Sequence, residues 1–110
     1  MARFIKGDIV VIPFPFSDLS GSKRRPAFVI NTLPGNDILL CQITSKSNKD
    51  RYSISITSTD FTNGTLPIDS YIRPNKLFTA DKSIIIRKAG TLKNYTRKMV
   101  IDAVVEIVTS

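Results

Sequence analysis

The chain of 110 residues contains no histidine, the most common general base in enzymes. Every catalytic triad that depends on histidine is therefore excluded. The only cysteine, Cys41, can form no intrachain disulfide, and no set of cysteine and histidine ligands is present for zinc. The aspartates lack the spacing of a metal site, and no glycine-rich loop has the spacing of a nucleotide cradle. An enzyme of this composition is expected to work without metal or cofactor, through arginine, lysine, hydroxyl groups or a carboxylate.

Long apolar runs are also missing, so no segment is predicted to span a membrane. The first residues, "MARFIKGDIVV", have too short an apolar run for a secretory signal, so we expect a cytoplasmic protein without a membrane partner. Cys41 lies in the apolar run "DILLCQIT", where a buried, inert thiol is expected. The length predicts one domain over residues 1–110.

Positive charge dominates the composition. Sixteen lysines and arginines stand against nine acidic residues, which gives a net charge of +7. An excess of this size favours a polyanionic partner, which could be a nucleic acid, an anionic membrane surface or an acidic protein segment. Among reactions open to a chain without histidine or metal ligands, RNA cleavage fits well, because RNA carries its own nucleophile, the 2′-hydroxyl.

Most of the chain has the composition and alternation of short β-strands. The turn "PGND" (34–37) separates two apolar runs, so residues 26–32 and 38–44 are predicted to form a hairpin. Further strands are predicted at 7–14 and 52–58. The rest should contain an Asn-Gly turn in 61–67, two short strands broken at Pro74 within 69–81, and a helical turn leading into a strand over 83–92.

The end of the chain differs from the rest. Residues 94–108 lack glycine and proline and are apolar at helical spacing, which predicts a helix with Asn94 or Thr96 as its N-cap. One face of this helix should pack on the sheet. Its expected residues are Met99, Val100, Ala103, Val104 and Ile107. Several short strands and one terminal helix predict a mainly β fold, a small bent sheet or barrel closed by the helix.

Three cations stand directly before a predicted strand in "SGSKRRPAFVI". Arg25 would have a rigid root at the start of this strand, and its guanidinium can bind a phosphate with two hydrogen bonds. Ser20 and Ser22 add hydroxyl donors. The predicted hairpin would bring Arg25 to the same edge of the sheet as Thr44.

Each of these residues also has an ordinary interpretation. Lys23, Arg24 and Arg25 could be a solvated loop, Thr44 a strand-end hydroxyl, and Arg73 a surface arginine. Among the aromatic residues, Phe14, Phe28 and Phe78 are expected in the core. Phe16, flanked by polar residues, is the candidate for stacking on an unpaired base.

A resemblance to a known family favours the functional interpretation of these residues. The segment "GDIVVIPFPFSDLSGSKRRPAFVI" is similar to the N-terminal signature of the PemK/MazF family, the toxins of type II toxin–antitoxin modules. The segments "CQITSK" and "IRPNKLFTADKSII" and the closing helix resemble the family in the same order. The resemblance implies an SH3-like barrel of the CcdB/PemK type, with about five to seven strands and a C-terminal helix. It also implies a homodimeric, metal-independent, sequence-selective endoribonuclease that cuts single-stranded RNA and leaves a 2′,3′-cyclic phosphate and a 5′-hydroxyl.

The resemblance also implies roles for single residues. The catalytic arginine of the family falls on Arg25 and its phosphate-contacting hydroxyl on Thr44, while an arginine used by some members falls on Arg73. Where some members carry an aspartate, this chain has Asn75, so the general base is unassigned, with Asp18 or Ser20 assisting. The remaining residues expected to contact RNA are Phe16, Ser22, Lys23, Arg24, Lys46 and Lys76. The loop 16–24 would be a mobile flap over the groove.

The resemblance implies one protein partner, a cognate antitoxin whose acidic tail fills the RNA groove. DNA would be bound only through the complex with that antitoxin. Two other functions stay open for this fold. The first is a catalytically degenerate module that binds RNA or antitoxin without cutting, which Asn75 leaves open. The second is a toxin that poisons DNA gyrase, although such a protein would not need the Arg-Pro and threonine pair.

Overall fold

The computed structural model describes residues 4–15, 22–46 and 51–110. These residues form seven strands, one α-helix and two short 3-10 turns, at Ser58–Asp60 and Lys82–Ile84. The strands are β1 (Asp8–Pro15), β2 (Ser22–Thr32), β3 (Asp37–Thr44), β4 (Ile54–Ile56), β5 (Phe61–Gly64), β6 (Ser70–Asp81) and β7 (Arg87–Leu92), and the helix is α1 (Asn94–Thr109).

All seven strands belong to one curled antiparallel sheet in the order β4-β6-β3-β2-β1-β7-β5. The predicted mainly β fold with a C-terminal helix is therefore confirmed, and the strand number lies within the expected range. The predicted hairpin pairing is confirmed, since β2 pairs antiparallel with β3 from Ala27–Gln42 to Thr32–Ile38. The predicted start of its first strand at Pro26 is wrong, because β2 begins at Ser22 and is paired with β1 there. Arg24 and Arg25 therefore lie within the strand and not before it, and residues 22–24 of the predicted flap belong to β2.

Both faces of the sheet are buried. On one face, Phe28 and Ile9 pack with Val100 and Val104 of the helix in the larger core cluster. On the other face, the alternate residues of the central strands form a second cluster, which Phe78 and its neighbours partly cover. Burial on both faces explains why these strands are continuous apolar runs instead of alternating ones. The expected burial of Phe28 and Cys41 is confirmed.

The predicted break of 69–81 at Pro74 takes another form, because residues 70–81 are one strand. Its pairing with β3 shifts between Cys41, opposite Leu77, and Gln42, opposite Arg73. Residues 74–76 therefore form a bulge. Proline has no N–H to donate to a ladder, and a bulge accommodates it without ending the strand.

Two other local predictions are corrected. The strand predicted at 52–58 is limited to Ile54–Ile56, because a capping box between Thr57 and Asp60 starts a 3-10 turn. The Asn-Gly pair expected to form a turn lies within β5. The prediction for 83–92 is confirmed in outline, with the turn Lys82–Ile84 before β7.

The C-terminal helix is confirmed, but neither predicted cap is correct. Lys93 occupies the N-cap position without a side-chain hydrogen bond. Thr96 lies inside the helix, buried, and its hydroxyl donates to Asp60 Oδ1 at 2.8 Å. Met99 is wrong as a core residue, since it is 42% exposed, whereas Val100 and Val104 are buried as expected.

Candidate functional site

The ladder between β2 and β3 ends close to the candidate residue Arg25. Among the described residues, the pairing of β2 with β3 stops at Ala27–Gln42. Beyond this pair, β2 stays paired with β1, where Arg25 lies opposite Ile12. Pro26 follows Arg25 and has no N–H with which to extend a ladder. The sequence "RRP" thus marks the point at which two neighbouring strands part.

Thr44 lies on the other side of this opening. It ends β3 and is paired with Tyr71 of β6. Arg25 and Thr44 are each two residues beyond the Ala27–Gln42 pair, in opposite chain directions. Because side chains alternate with a period of two, this register assigns both residues to the face of Ala27 and Gln42. The structure therefore brings Arg25 and Thr44 to adjacent strands at one end of the sheet.

The hydroxyl of Thr44 has a specific orientation. Its Oγ1 atom accepts a hydrogen bond from the backbone N–H of Lys46 at 3.2 Å. A hydroxyl that accepts this bond can still donate its own hydrogen. Thr44 is half-buried, while Ser45 and Lys46 after it are exposed. The arrangement is suited to donating one hydrogen bond to an anion at the end of β3.

Arg73 belongs to the same face. It pairs with Gln42, two residues before Thr44, so the register places it one row deeper in the sheet than Arg25 and Thr44. The Nε atoms of Arg25 and Arg73 and the Oδ1 atom of Asn75 are buried. When Nε is buried, the inner end of the guanidinium is held in place. This limits the directions in which the two terminal nitrogens can point. Asn75 lies in the bulge 74–76, next to the exposed Lys76.

Two pockets flank this region. The first, of about 370 Å³, is lined by Arg24, Arg25 and Arg87 together with apolar residues that include Leu66 and Ile68. Such a lining suits a ligand that combines negative charge with apolar groups. The second, of about 440 Å³, has a largely apolar lining that includes Ile12, Gln42, Lys76 and Phe78. The predicted core residue Phe78 is half-buried and packs against the second core cluster.

Sequence reasoning missed Gln42 and Tyr71. Gln42 could have been found, because it stands two residues before Thr44 and a strand therefore places it on the same face. Tyr71 could not, since its position opposite Thr44, 27 residues earlier, depends on the pairing of β3 with a strand far away along the chain.

Several predicted residues lie outside the described part of the chain. These are Phe16, Asp18 and Ser20, together with most of the predicted flap 16–24. Ser22 and Lys23 are described as backbone of β2, opposite Pro15 and Phe14, and the side chains of these four residues are outside the description.

The described residues limit the chemistry of the site. No group of three histidine, cysteine or acidic side chains among them could hold a metal ion. Burial raises the pKa of the Cys41 thiol to about 12, so this thiol is not a nucleophile near neutral pH. No helix in the described ranges is long and apolar enough to cross a membrane.

The comparisons with known proteins agree with this fold. Residues 5–108 match the family of PemK-like, MazF-like toxins of type II toxin–antitoxin systems. Because the match spans almost the whole chain, this protein belongs to the PemK/MazF toxin family. No curated protein matches it.

Solved structures share its architecture. MazF from Deinococcus radiodurans superposes with a TM-score of 0.76 and 14% identity over 100% of both chains. An endoribonuclease from a mycobacterial species, in complex with its cognate antitoxin, has a TM-score of 0.73 and 14% identity and covers 96% of this chain and 95% of its own. The Mycobacterium tuberculosis toxin MazF-mt6 has a TM-score of 0.70 and 12% identity, with 92% and 95% covered. At these identities the likeness establishes the fold alone.

Proposed function

We propose that this toxin is a metal-independent, sequence-selective endoribonuclease that cuts single-stranded RNA. The observation that carries the proposal is the register of Arg25 and Thr44, on one face where β2 and β3 part, with Arg73 one row deeper. This places two cations and one hydroxyl donor around a gap in the sheet. A phosphate carries the oxygens that such groups bind best.

The reaction follows from these groups. The 2′-hydroxyl of RNA attacks the adjacent phosphorus, and the bond from phosphorus to the 5′-oxygen breaks. A general base, not assigned to a residue of this chain, accepts the proton of the 2′-hydroxyl, and a general acid or water supplies one to the leaving 5′-oxygen. The products are therefore a 2′,3′-cyclic phosphate and a 5′-hydroxyl. Arg25 stabilises the charge that develops on the phosphorane and donates to the leaving oxygen. Thr44 holds a phosphate oxygen, Arg73 adds positive charge, and Asp18 or Ser20 assists.

Binding relies on the basic surface around this gap. Arg24, Lys46 and Lys76 are exposed, and we propose that they attract the RNA backbone. Phe16, Ser22 and Lys23 are proposed to contact the same strand.

The pocket lined by Arg24, Arg25 and Arg87 suits the acidic, partly apolar tail of a cognate antitoxin. The mycobacterial relative in complex with its own antitoxin supports such a partner. We further propose that the toxin is a homodimer in the cytoplasm and reaches DNA only through the antitoxin complex.

The deciding experiment mixes purified protein with a long single-stranded RNA in EDTA and maps the ends of the products. Wild type should give defined cuts with cyclic phosphate ends. Arg25→Ala should slow cleavage by roughly 10²- to 10³-fold, as expected when one preorganised donor is removed. Lys98→Ala serves as the matched control, because Lys98 is an exposed cation of the helix that pairs with Asp102.

Each outcome separates the functions open to this fold. Cuts that Arg25→Ala leaves at the wild-type rate would contradict the role of Arg25. Binding of RNA without any product would indicate a degenerate module, with Asn75 as the first residue to examine. Intact RNA without binding, together with arrest of DNA replication in cells, would favour a gyrase poison.

A further inference from the structure

The lining of the pocket of about 440 Å³ includes strand neighbours of the residues proposed to form the cleavage site. Ile12, on its wall, is paired with Arg25 across β1 and β2. Gln42, on the same wall, stands two residues before Thr44 and opposite Arg73. Lys76 at the rim follows Asn75 in the bulge. Each residue proposed to hold the scissile phosphate thus has a neighbour in the wall of this pocket.

The size and lining of the pocket suit a flat heterocycle. Its volume lies in the range of small-molecule sites, which is roughly 300–1,000 Å³. Ile12, Phe78 and Ile84 give it an apolar wall, and Lys76 adds a positive charge to the lining. Gln42 is half-buried and supplies both a donor and an acceptor from one planar amide. An unpaired base needs this combination of an apolar surface and a polar group at its edge.

We propose that this pocket holds a base of the RNA strand next to the scissile phosphate, and that Gln42 reads the edge of that base. This inference rests on the proposed function and adds a residue that determines sequence preference. A glutamine amide pairs with two hydrogen bonds to adenine, which offers an amino donor beside a ring-nitrogen acceptor. The expected preference at one position of the cleavage motif is therefore adenine.

The test determines the cleavage motif of three variants on a pool of single-stranded RNAs with a randomised segment, with all ends mapped by sequencing. Gln42→Leu keeps a similar volume and removes both polar groups, so the adenine preference at one position should fall by roughly 10- to 100-fold while the rest of the motif is kept. Gln42→Glu offers only acceptors, so the preference should move toward a base whose edge presents donors. Asn63→Leu is the control, because it makes the same kind of change at an exposed position of the edge strand β5.

Every result decides the proposal. Loss of preference at one position in Gln42→Leu, with a shifted preference in Gln42→Glu, supports it. Equal slowing of all RNAs with an unchanged motif overturns it, because that pattern indicates a structural role. If Gln42→Leu changes the oligomeric state measured by light scattering and leaves the motif intact, a second copy of the chain fills the pocket and the proposal is wrong. Wild-type protein that cuts no RNA overturns the proposed function itself, and the base assignment with it.

Discussion

The hydroxyl oxygen of Thr44 accepts a hydrogen bond from the backbone N–H of Lys46, at the last residue of β3. This hydrogen bond fixes the Thr44 side chain against the backbone that follows β3. The hydroxyl hydrogen remains available to a ligand. Its neighbour across the ladder, Tyr71, lies within the paired part of β6, so the backbone that carries Thr44 is held on that side.

If Thr44 donates to a phosphate oxygen, the hydroxyl itself is required. Thr44→Val keeps the shape and removes the hydroxyl, and it should slow cleavage by roughly 10²-fold. Thr44→Ser retains the donor and should stay within several-fold of wild type. Initial rates on one RNA substrate measure both variants, with urea unfolding to verify that each is folded. Equal rates for Thr44→Val and Thr44→Ser would remove Thr44 from the site.

Asp8 is a buried carboxylate with a structural role. It is 0% exposed, and it accepts hydrogen bonds from the Thr91 hydroxyl and the Ile5 N–H, both at 2.9 Å. The ammonium of Lys88 lies 3.4 Å from its Oδ2 atom. Asp8→Ala leaves these donors without their acceptor and should lower the free energy of unfolding by about 3 kcal/mol.

Urea unfolding measures this loss. The matched control is Asp102→Ala, because Asp102 is an exposed acid paired with Lys98, and exposed pairs contribute little to stability. At a temperature where it is still folded, Asp8→Ala should cleave RNA at close to the wild-type rate. A large loss of activity in a fully folded Asp8→Ala variant would mean that Asp8 also acts in the site.

The elements that could be predicted from the sequence are those with local signals. The turn at 34–37 between two apolar runs was sufficient to predict the hairpin of β2 and β3. The helix could be predicted from its period. Its cap could not, because Thr96 donates to Asp60, thirty-six residues earlier, in preference to capping the helix. Met99 lies toward the apolar side in a helical projection, but it is 42% exposed in the structure.

In the candidate site, too, only the features with local sequence signals could be predicted. Arg25 and Thr44 could be placed together from the hairpin alone, since residues close in sequence define its register. The pairing of Gln42 with Arg73 could not, because a bulge of three residues at 74–76 sets that register. Bulges shift every residue beyond them to a new partner. The pocket beside Gln42 is therefore visible only in three dimensions.

Two glycines allow the effects of backbone conformation and of steric space on stability to be measured separately. Gly35 and Gly64 both have positive φ, of 78° and 67°. A Cβ on Gly35 would meet nothing within 4 Å, whereas a Cβ on Gly64 would lie 2.1 Å from the carbonyl oxygen of Ala89. Gly35→Ala should therefore cost about 1 kcal/mol, the ordinary penalty of this conformation.

Gly64→Ala must in addition move the backbone of β7, so its cost should exceed that of Gly35→Ala by about 2 kcal/mol. Urea unfolding of the two variants side by side gives the difference. Equal losses would show that the edge strand β5 shifts away from β7 at little cost.

Stability should also depend on pH through Cys41. Burial raises the pKa of this thiol from 9.0 to about 12. Between these values the unfolded chain releases the thiol proton and the folded chain retains it, so stability falls as pH rises. The loss from this group approaches about 1.4 kcal/mol for each pH unit within the window. Urea unfolding of wild type and Cys41→Ala at about pH 8 and about pH 10.5 measures it. Cys41→Ala should lose less stability over this interval, and an equal loss in both proteins would assign the pH dependence to other groups.

The basic surface predicts a strong dependence of RNA binding on salt. Each phosphate contact made by a cation releases a counterion, so the logarithm of affinity falls with the logarithm of salt concentration by about 0.7 for every contact to a single strand. Anisotropy with a 2′-O-methyl RNA, which has no nucleophile to cut itself, gives this slope directly. Lys76→Ala, at the rim of the proposed base pocket, should reduce the slope by about 0.7, whereas Lys98→Ala on the helix should leave it unchanged. A flat salt response in wild type would contradict electrostatic binding of the RNA backbone, and equal slopes for the two lysine variants would place the RNA on another face of the sheet.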